Sequence, residues 1–346
     1  MKVLIDHQLP FLLAHGGLQI QIEQTKAALE KIGIEVEYLR FWDSQQTADV
    51  LHVFGRCSRS YIDLARRKGI AVVMSDLLSE TGSRSRYALL AQKVVILAAR
   101  SILPTTFLSR MGWDSFRAAD AVIALTPWEA KLMVDLFNAD KARLHVVPNG
   151  VEECFFMDAP AEGREDWLVS TVTITPRKRA VELAQAAVAG KVKIRIVGKP
   201  YSEQDPYYQR FVKIWKSHPE YIDYDGPISN REELARVYSR ARGFVLFSIF
   251  ESLSLSALEA AAAGCPLLLT DLPWARSMFA DCAVYCSPGT GSADAGRILK
   301  KFSDTAAAQP KPQKPLKWVE VAEQLKAIYS VASRFDTKDQ RGSSNS

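Results

Sequence analysis

The run Gly243-Phe244-Val245-Leu246-Phe247, then Phe250-Glu251-Ser252-Leu253-Ser254-Leu255-Ser256-Ala257-Leu258-Glu259-Ala260, then Ala263-Gly264-Cys265-Pro266, decides how this chain is read. An apolar strand, a short polar loop, a helical stretch and a second apolar strand from Pro266 to Thr270 form one strand-helix-strand unit of a parallel sheet. Ser254 is suited to cap the helix, which places its start at Leu255, Glu251 in the loop and Glu259 in the first turns. In open α/β sheets ligands bind beyond the carboxyl ends of the strands, where the free amides of a helix start form an anion site. A carboxylate there accepts hydrogen bonds from the paired hydroxyls of a ribose, and a second holds the hydroxyls of a sugar. The same two acids also suit a helix N-terminus on electrostatic grounds alone, so residue chemistry by itself leaves both readings open.

The same alternation runs along the whole chain. Val3 to Ile5, Val36 to Leu39, Val50 to Phe54, Ala71 to Met74 and Ala121 to Leu125 are short apolar runs, with helical patterns such as Gln19 to Ile32 and Tyr61 to Lys68 between them. The rhythm restarts with Leu168 to Ile174, a helix from Ala180 to Ala189, and Ile194 to Val197. A chain of 346 residues exceeds one core, and two domains of roughly 150 residues each are expected. The expected division is 1–155 and 166–308, with the polar stretch Asp158 to Asp166 as the linker. Gln309 to Pro315 reads as a proline-rich tether. Beyond it Trp318, Val321, Ala322, Leu325, Ile328 and Tyr329 predict an amphipathic helix over 317–335 that crosses back onto the first domain. The polar tail 336–346 is expected to be disordered.

With 48% apolar and 24% charged residues the composition is globular. The net charge of +5 is modest, and no Lys/Arg block interleaved with aromatics is present, which argues against nucleic acid as a partner. Five scattered cysteines without C-x-x-C spacing fit reduced thiols in the cytoplasm. The N-terminal apolar run is too short for a signal peptide. The longest apolar stretch, Val94 to Ala99, falls far short of the ~20 residues that span a bilayer. A cytoplasmic protein is expected, soluble or peripheral at the cytoplasmic face of a membrane.

In combination these segments resemble the family-four retaining glycosyltransferases. That family carries E-G-F-G-L, two or three residues, L-E-A, then G-x-P and an apolar strand. Glu251, Leu255, Leu258-Glu259-Ala260, Gly264 and Pro266 match, while Ser252 and Ser254 stand where glycines are usual. His15-Gly16-Gly17-Leu18-Gln19 is similar to the family's glycine pair facing the donor phosphates, and Gly33 to Val36 follows its helix as the family's G-x-x-V does. Asp120 to Ala124 through Val147 to Val151 looks like the passage out of the family's first domain. The resemblance covers Lys2 to Cys286. It implies an α/β protein of the glycosyltransferase-B architecture, with two Rossmann-like parallel-sheet domains facing across a cleft. The nucleotide would lie mainly on the second domain and the acceptor mainly on the first. The implied activity is that of a hexosyltransferase. It moves a sugar from a nucleotide diphosphate sugar to a glycan, lipid-linked or small-molecule acceptor, with retention at the anomeric carbon, without cofactor or metal, as in polysaccharide or glycoconjugate biosynthesis.

The cluster Thr175-Pro176-Arg177-Lys178-Arg179 follows a predicted strand. In the family this turn supplies an arginine and a lysine that neutralise the leaving diphosphate. Lys178 matches the lysine, and Arg177 is taken as a substitute for the arginine, whose usual position holds Thr173. The resemblance thus implies catalytic roles for Lys178, Arg177 and Glu251. It assigns Glu259, Gly16, Gly17, Ser254, Leu255 and Gly226 to the donor nucleotide. Glu259 is expected to be exposed, so that its loss weakens donor binding and spares the fold. Asp223-Tyr224-Asp225 has the pattern of a metal chelator, but the family aligns it with a strand end and turn near the base. On the acceptor side Ser75 stands where the family has a histidine, followed by Asp76, and His15 is a further candidate. His7, His15 and His52 each read more readily as satisfied structural groups.

Arg84, Arg86, Lys93, Arg100, Arg110 and Arg117 punctuate an apolar stretch that has no acid before Asp114. It suits an anionic membrane surface and, equally, helices packed beside the acceptor cleft with solvated arginines. Two other activities fit the same architecture, a nucleotide-sugar epimerase or phosphorylase, and an inactive glycosyltransferase-like binding subunit. A nicotinamide enzyme is not supported, because no G-x-G-x-x-G follows either domain's first strand.

Overall fold

The computed structural model describes residues 1–7, 10–11, 16–157, 159–160 and 163–342, and divides into two compact units. The first unit is Met1–Gly150 together with the chain from Trp318 onward, and the second is Val151–Lys317.

The first unit contains β1 (Lys2–His7), β2 (Glu35–Tyr38), β3 (Val50–Phe54), β4 (Ala71–Ser75), β5 (Ala121–Ala124) and β6 (Leu144–Val146). They form one sheet in the order β2-β1-β3-β4-β5-β6, with every pairing parallel. All residues of β3, β4 and β5 are buried, because helices cover both faces of a parallel sheet. Helix Trp318–Gly342 belongs to this unit and packs on helix Gly17–Lys31 and on β3 and β4. It continues through 336–342, where a disordered tail was expected. Residues 343–346 lie outside the described residues.

The second unit contains β7 (Leu168–Thr171), β8 (Ile194–Val197), β9 (Ile222–Asp223), β10 (Gly243–Leu246), β11 (Leu267–Thr270) and β12 (Val284–Cys286). Their order, β12-β11-β10-β7-β8-β9, is again wholly parallel. This is the doubly wound order, with the reversal between β7 and β10. Helices Ala180–Gly190 and Ser292–Thr305 meet at two glycines: a Cβ on Gly190 would lie 2.4 Å from the Gly296 carbonyl oxygen, so neither position accepts a side chain.

The stretch from Asp158 to Asp166 is not the interdomain linker. Asp158, Ala161 and Glu162 lie outside the described residues, but Arg164 and Glu165 are bound into the second unit. Nη1 of Arg164 donates to the carbonyls of Tyr238, Ser239 and Ala241, and Nη2 to those of Ala263 and Gly264. One guanidinium thereby satisfies the carbonyl ends of helices Arg231–Arg240 and Leu255–Ala262, whose last carbonyls lack N–H donors within the helix. The chain passes between units earlier, at Gly150 and Val151, and returns at Lys317 and Trp318. The first boundary therefore falls before Glu152–Phe155, which the sequence reading gave to the first domain.

Candidate active site

Ligands in a doubly wound sheet bind where the strand order reverses, and in the second unit that point lies between β7 and β10. The loops leaving these two strands carry the residues singled out above. After β7, Thr175 caps a 3₁₀ turn, Pro176–Lys178, by accepting the Lys178 N–H at 3.4 Å. After β10, the N–H of Ile249 donates to the Arg177 carbonyl at 2.9 Å, which pins the two loops together.

Glu251 is buried in this seam. Its Oε1 accepts from Arg177 Nη1 at 3.0 Å and also from Lys178 Nζ. Nη1 of Arg177 also donates to the Phe250 carbonyl at 3.3 Å. Burial works against the Glu251 charge, yet Lys178 and then Arg177 outweigh it and hold the carboxyl below its ordinary range. Burial pushes the Lys178 ammonium below the lysine range, partly restored by Glu251 and opposed by Arg177. Two cations thus share one carboxylate, leaving a positive excess at a strand-to-helix turn.

Glu259 departs from expectation: it is 5% exposed. One of its oxygens accepts from Arg231 Nη2 and the other from Tyr238 Oη at 3.1 Å. Arg231 also donates to Glu152 through Nε at 2.7 Å and lies 4.7 Å above the Phe155 ring. Tyr238 in turn contacts the Thr171 hydroxyl at the end of β7. Burial raises the Glu259 pKa, and Arg231 offsets only part of the effect. Arg231, Tyr238 and Glu152 were not legible as a group, because Glu152 lies far along the chain from helix Arg231–Arg240, which carries the other two, and no motif spaces them.

Helix Leu255–Ala262 begins where predicted, with Ser254 as its cap accepting the Ala257 N–H at 3.4 Å. The N–H groups of Leu255 and Ser256 have no partner inside the helix. Gly226 follows β9 with φ 85°, and its carbonyl accepts the Gly198 N–H at 3.0 Å. Gly198 went unremarked in the sequence. A Cβ there would lie 1.9 Å from the Val172 carbonyl oxygen, so only glycine lets the chain leaving β8 cross the end of β7. Asp223 is ion-paired with Arg195 on β8, and Asp225 is exposed.

In the first unit Gly16 precedes helix Gly17–Lys31 with φ 145°, beyond β1. His15 lies outside the described residues. Ser75 and Asp76 stand at the end of β4, but both side chains are engaged. The Ser75 hydroxyl meets His52 Nε2 at 2.8 Å, and Asp76 Oδ2 accepts from Arg56 at 2.7 and 3.0 Å. His52 Nδ1 meets the Tyr329 hydroxyl at 2.7 Å, and burial drives this imidazole down to about 3, so it stays neutral. His52 is therefore a structural clasp between β3, β4 and helix Trp318–Gly342.

Residues 174–300 match the family model described as glycosyl transferases group 1. Two curated relatives are both D-inositol 3-phosphate glycosyltransferases. That of Frankia alni is 28% identical over 204 residues, covering 53% of this chain and 48% of the relative. That of Kineococcus radiotolerans is 27% identical over 197 residues, covering 51% and 45%. The chain thus spans about half the length of the curated relatives it matches. Among solved structures, Anabaena Alr3699/HepE in complex with UDP and glucose superposes with a TM-score of 0.62 at 14% identity, covering 95% of this chain and 99% of that one. Sucrose-phosphate synthase from Thermosynechococcus elongatus gives 0.60 at 16% identity, covering 100% and 99%. AviGT4, a glycosyltransferase involved in avilamycin A biosynthesis, gives 0.59 at 16%, covering 96% and 98%. Identities this low speak to the fold, while the family match falls on the half of the chain that holds Arg177, Lys178, Glu251 and Glu259. Residues 174–300 are thus similar to the group 1 glycosyl transferases, and the two doubly wound parallel sheets have the GT-B fold of these solved structures.

Proposed function

We propose that this protein is a glycosyltransferase that takes its sugar from a nucleoside diphosphate sugar, with a uridine nucleotide as the first candidate, and transfers it with retention of anomeric configuration and without a divalent metal. The observation that carries the reading is the joint placement of Arg177, Lys178 and Glu251 at the switch point of the second sheet. The bond from the anomeric carbon to the diphosphate oxygen breaks, and the acceptor oxygen bonds to that carbon on the same face. The departing phosphate oxygen takes the acceptor's proton. Negative charge grows on the diphosphate, and preorganised cations and amides aimed at that position lower the barrier. Arg177 and Lys178 supply the charge and the N–H groups of Leu255 and Ser256 the dipoles, while Glu251 holds the cations and orients sugar hydroxyls. Glu259, whose two oxygens already accept from Arg231 and Tyr238, would receive the ribose hydroxyls through its remaining lone pairs. The uridine assignment draws on the UDP complexes of the Anabaena protein.

A cytoplasmic site of action and a glycan or lipid-linked acceptor belong to the same proposal. Among the described residues no helix is long and apolar enough to cross a membrane. The test is nuclear magnetic resonance of fresh product from UDP-sugars and an acceptor panel, with excess chelator present. Product with the donor's anomeric configuration is expected. An inverted centre overturns the mechanism, and loss of transfer on chelation overturns metal independence.

A further inference from the structure

Helix Arg86–Ile102 of the first unit has its polarity reversed. Its inward stripe is narrow, with Leu89 and Ile96 buried. Its outward face, an arc of roughly 160° at 3.6 residues per turn, carries no charge at all. Tyr87, Leu90, Val94, Val95, Leu97 and Ile102 stand on it, each more than half exposed, with Tyr87 at 87% and Ile102 at 78%. The polar groups on that arc are the hydroxyls of Tyr87 and Ser101. A helix meant for water places its charges outward, whereas here Arg86, Lys93 and Arg100 all fall on one flank, at every seventh position, between the exposed arc and the buried stripe. The following helix, Thr105–Met111, adds exposed Phe107 and Met111.

From Thr81 to Trp113 the chain has five cations and no carboxylate. Close by, Arg59, Arg66, Arg117 and Arg143 line a recess of about 360 Å³, in which Arg59, Arg66 and Arg143 are paired with Asp63, Asp120 and Asp140, and Asp114 lies 4.0 Å from Arg100. The helix is roughly 25 Å long. We infer that helix Arg86–Ile102 lies in the plane of an anionic lipid bilayer, its uncharged arc sunk among the acyl chains and its cationic flank at the headgroups. A bilayer asks only for apolar area and nearby positive charge, and this arc and its flank supply both, with the hydroxyls of Tyr87 and Ser101 as the arc's polar side-chain groups.

The test is co-sedimentation of the full chain with phosphatidylcholine vesicles, with and without roughly one third phosphatidylglycerol, at low and high salt. Binding to the anionic vesicles at low salt is expected, weakened by salt and weak on neutral vesicles. Val94→Glu with Leu97→Glu should reduce it at least about tenfold. Arg86→Ala with Lys93→Ala should reduce it several-fold and flatten the salt dependence. All four side chains are exposed, so melting temperatures should not change. No binding by the unaltered chain overturns the proposal, as does binding that survives the Glu substitutions. A dimer that the Glu substitutions dissociate, without vesicle binding, assigns the face to a protein interface and also overturns it.

Discussion

Lys178 and Glu251 form a buried pair whose neighbour, Arg177, leaves it one positive charge in excess. On the proposed route this excess meets a charge that is larger in the transition state than in the bound donor. Lys178→Ala should therefore lower kcat by on the order of 10²–10³-fold while donor Kd changes less than tenfold. Steady-state kinetics with a donor titration checks the split, and equal losses in both would make Lys178 a plain binding group. Glu259 behaves differently from a surface acid. Glu259→Ala leaves Arg231 and Tyr238 facing a void, and removing one partner of a buried ion pair costs on the order of 3 kcal/mol. Thermal denaturation should show this loss, and an unchanged midpoint would return Glu259 to the exposed role first expected of it.

At the scale of elements, the strand-loop-helix around Glu251 was legible because cap, helix period and flanking apolar strands agree within one short window. β6 and β12 are three residues long, and the sequence predicts neither as a strand, since so short a run shows no period, whereas the end of β9 at Asp223 is placed only by the family resemblance. Arg164 exposes the limit more sharply. Its polar, proline-bearing surroundings look like a linker, and only the folded chain brings the ends of two helices within reach of one guanidinium. Arg164→Ala should destabilise the second unit by on the order of 2 kcal/mol through orphaned carbonyls. Arg164→Lys should recover less than half of this, because an ammonium cannot span both helix ends. Urea denaturation followed by circular dichroism checks both, and full rescue by lysine would show that charge alone suffices.

At the scale of the whole molecule the second unit is one continuous stretch, Val151–Lys317, whereas the first is assembled from two. The second unit should therefore fold alone and melt cooperatively when produced as 151–317. A chain ending at Lys317 should keep amide protection there and lose it in β3 and β4, where Tyr329 no longer reaches His52. Hydrogen exchange read by mass spectrometry distinguishes the units, and intact protection of β3 and β4 would show that helix Trp318–Gly342 is dispensable.

The clasp between His52 and Tyr329 also bears on synthesis, because the ribosome delivers the chain in order. The first sheet emerges early yet lacks the aromatic cover that arrives with helix Trp318–Gly342, whereas the second unit has all its parts once Lys317 is out. The half begun first is thus the half completed last. Until translation passes Tyr329, the nascent β3 and β4 carry an uncovered flank, and that interval is when a chaperone would find this protein.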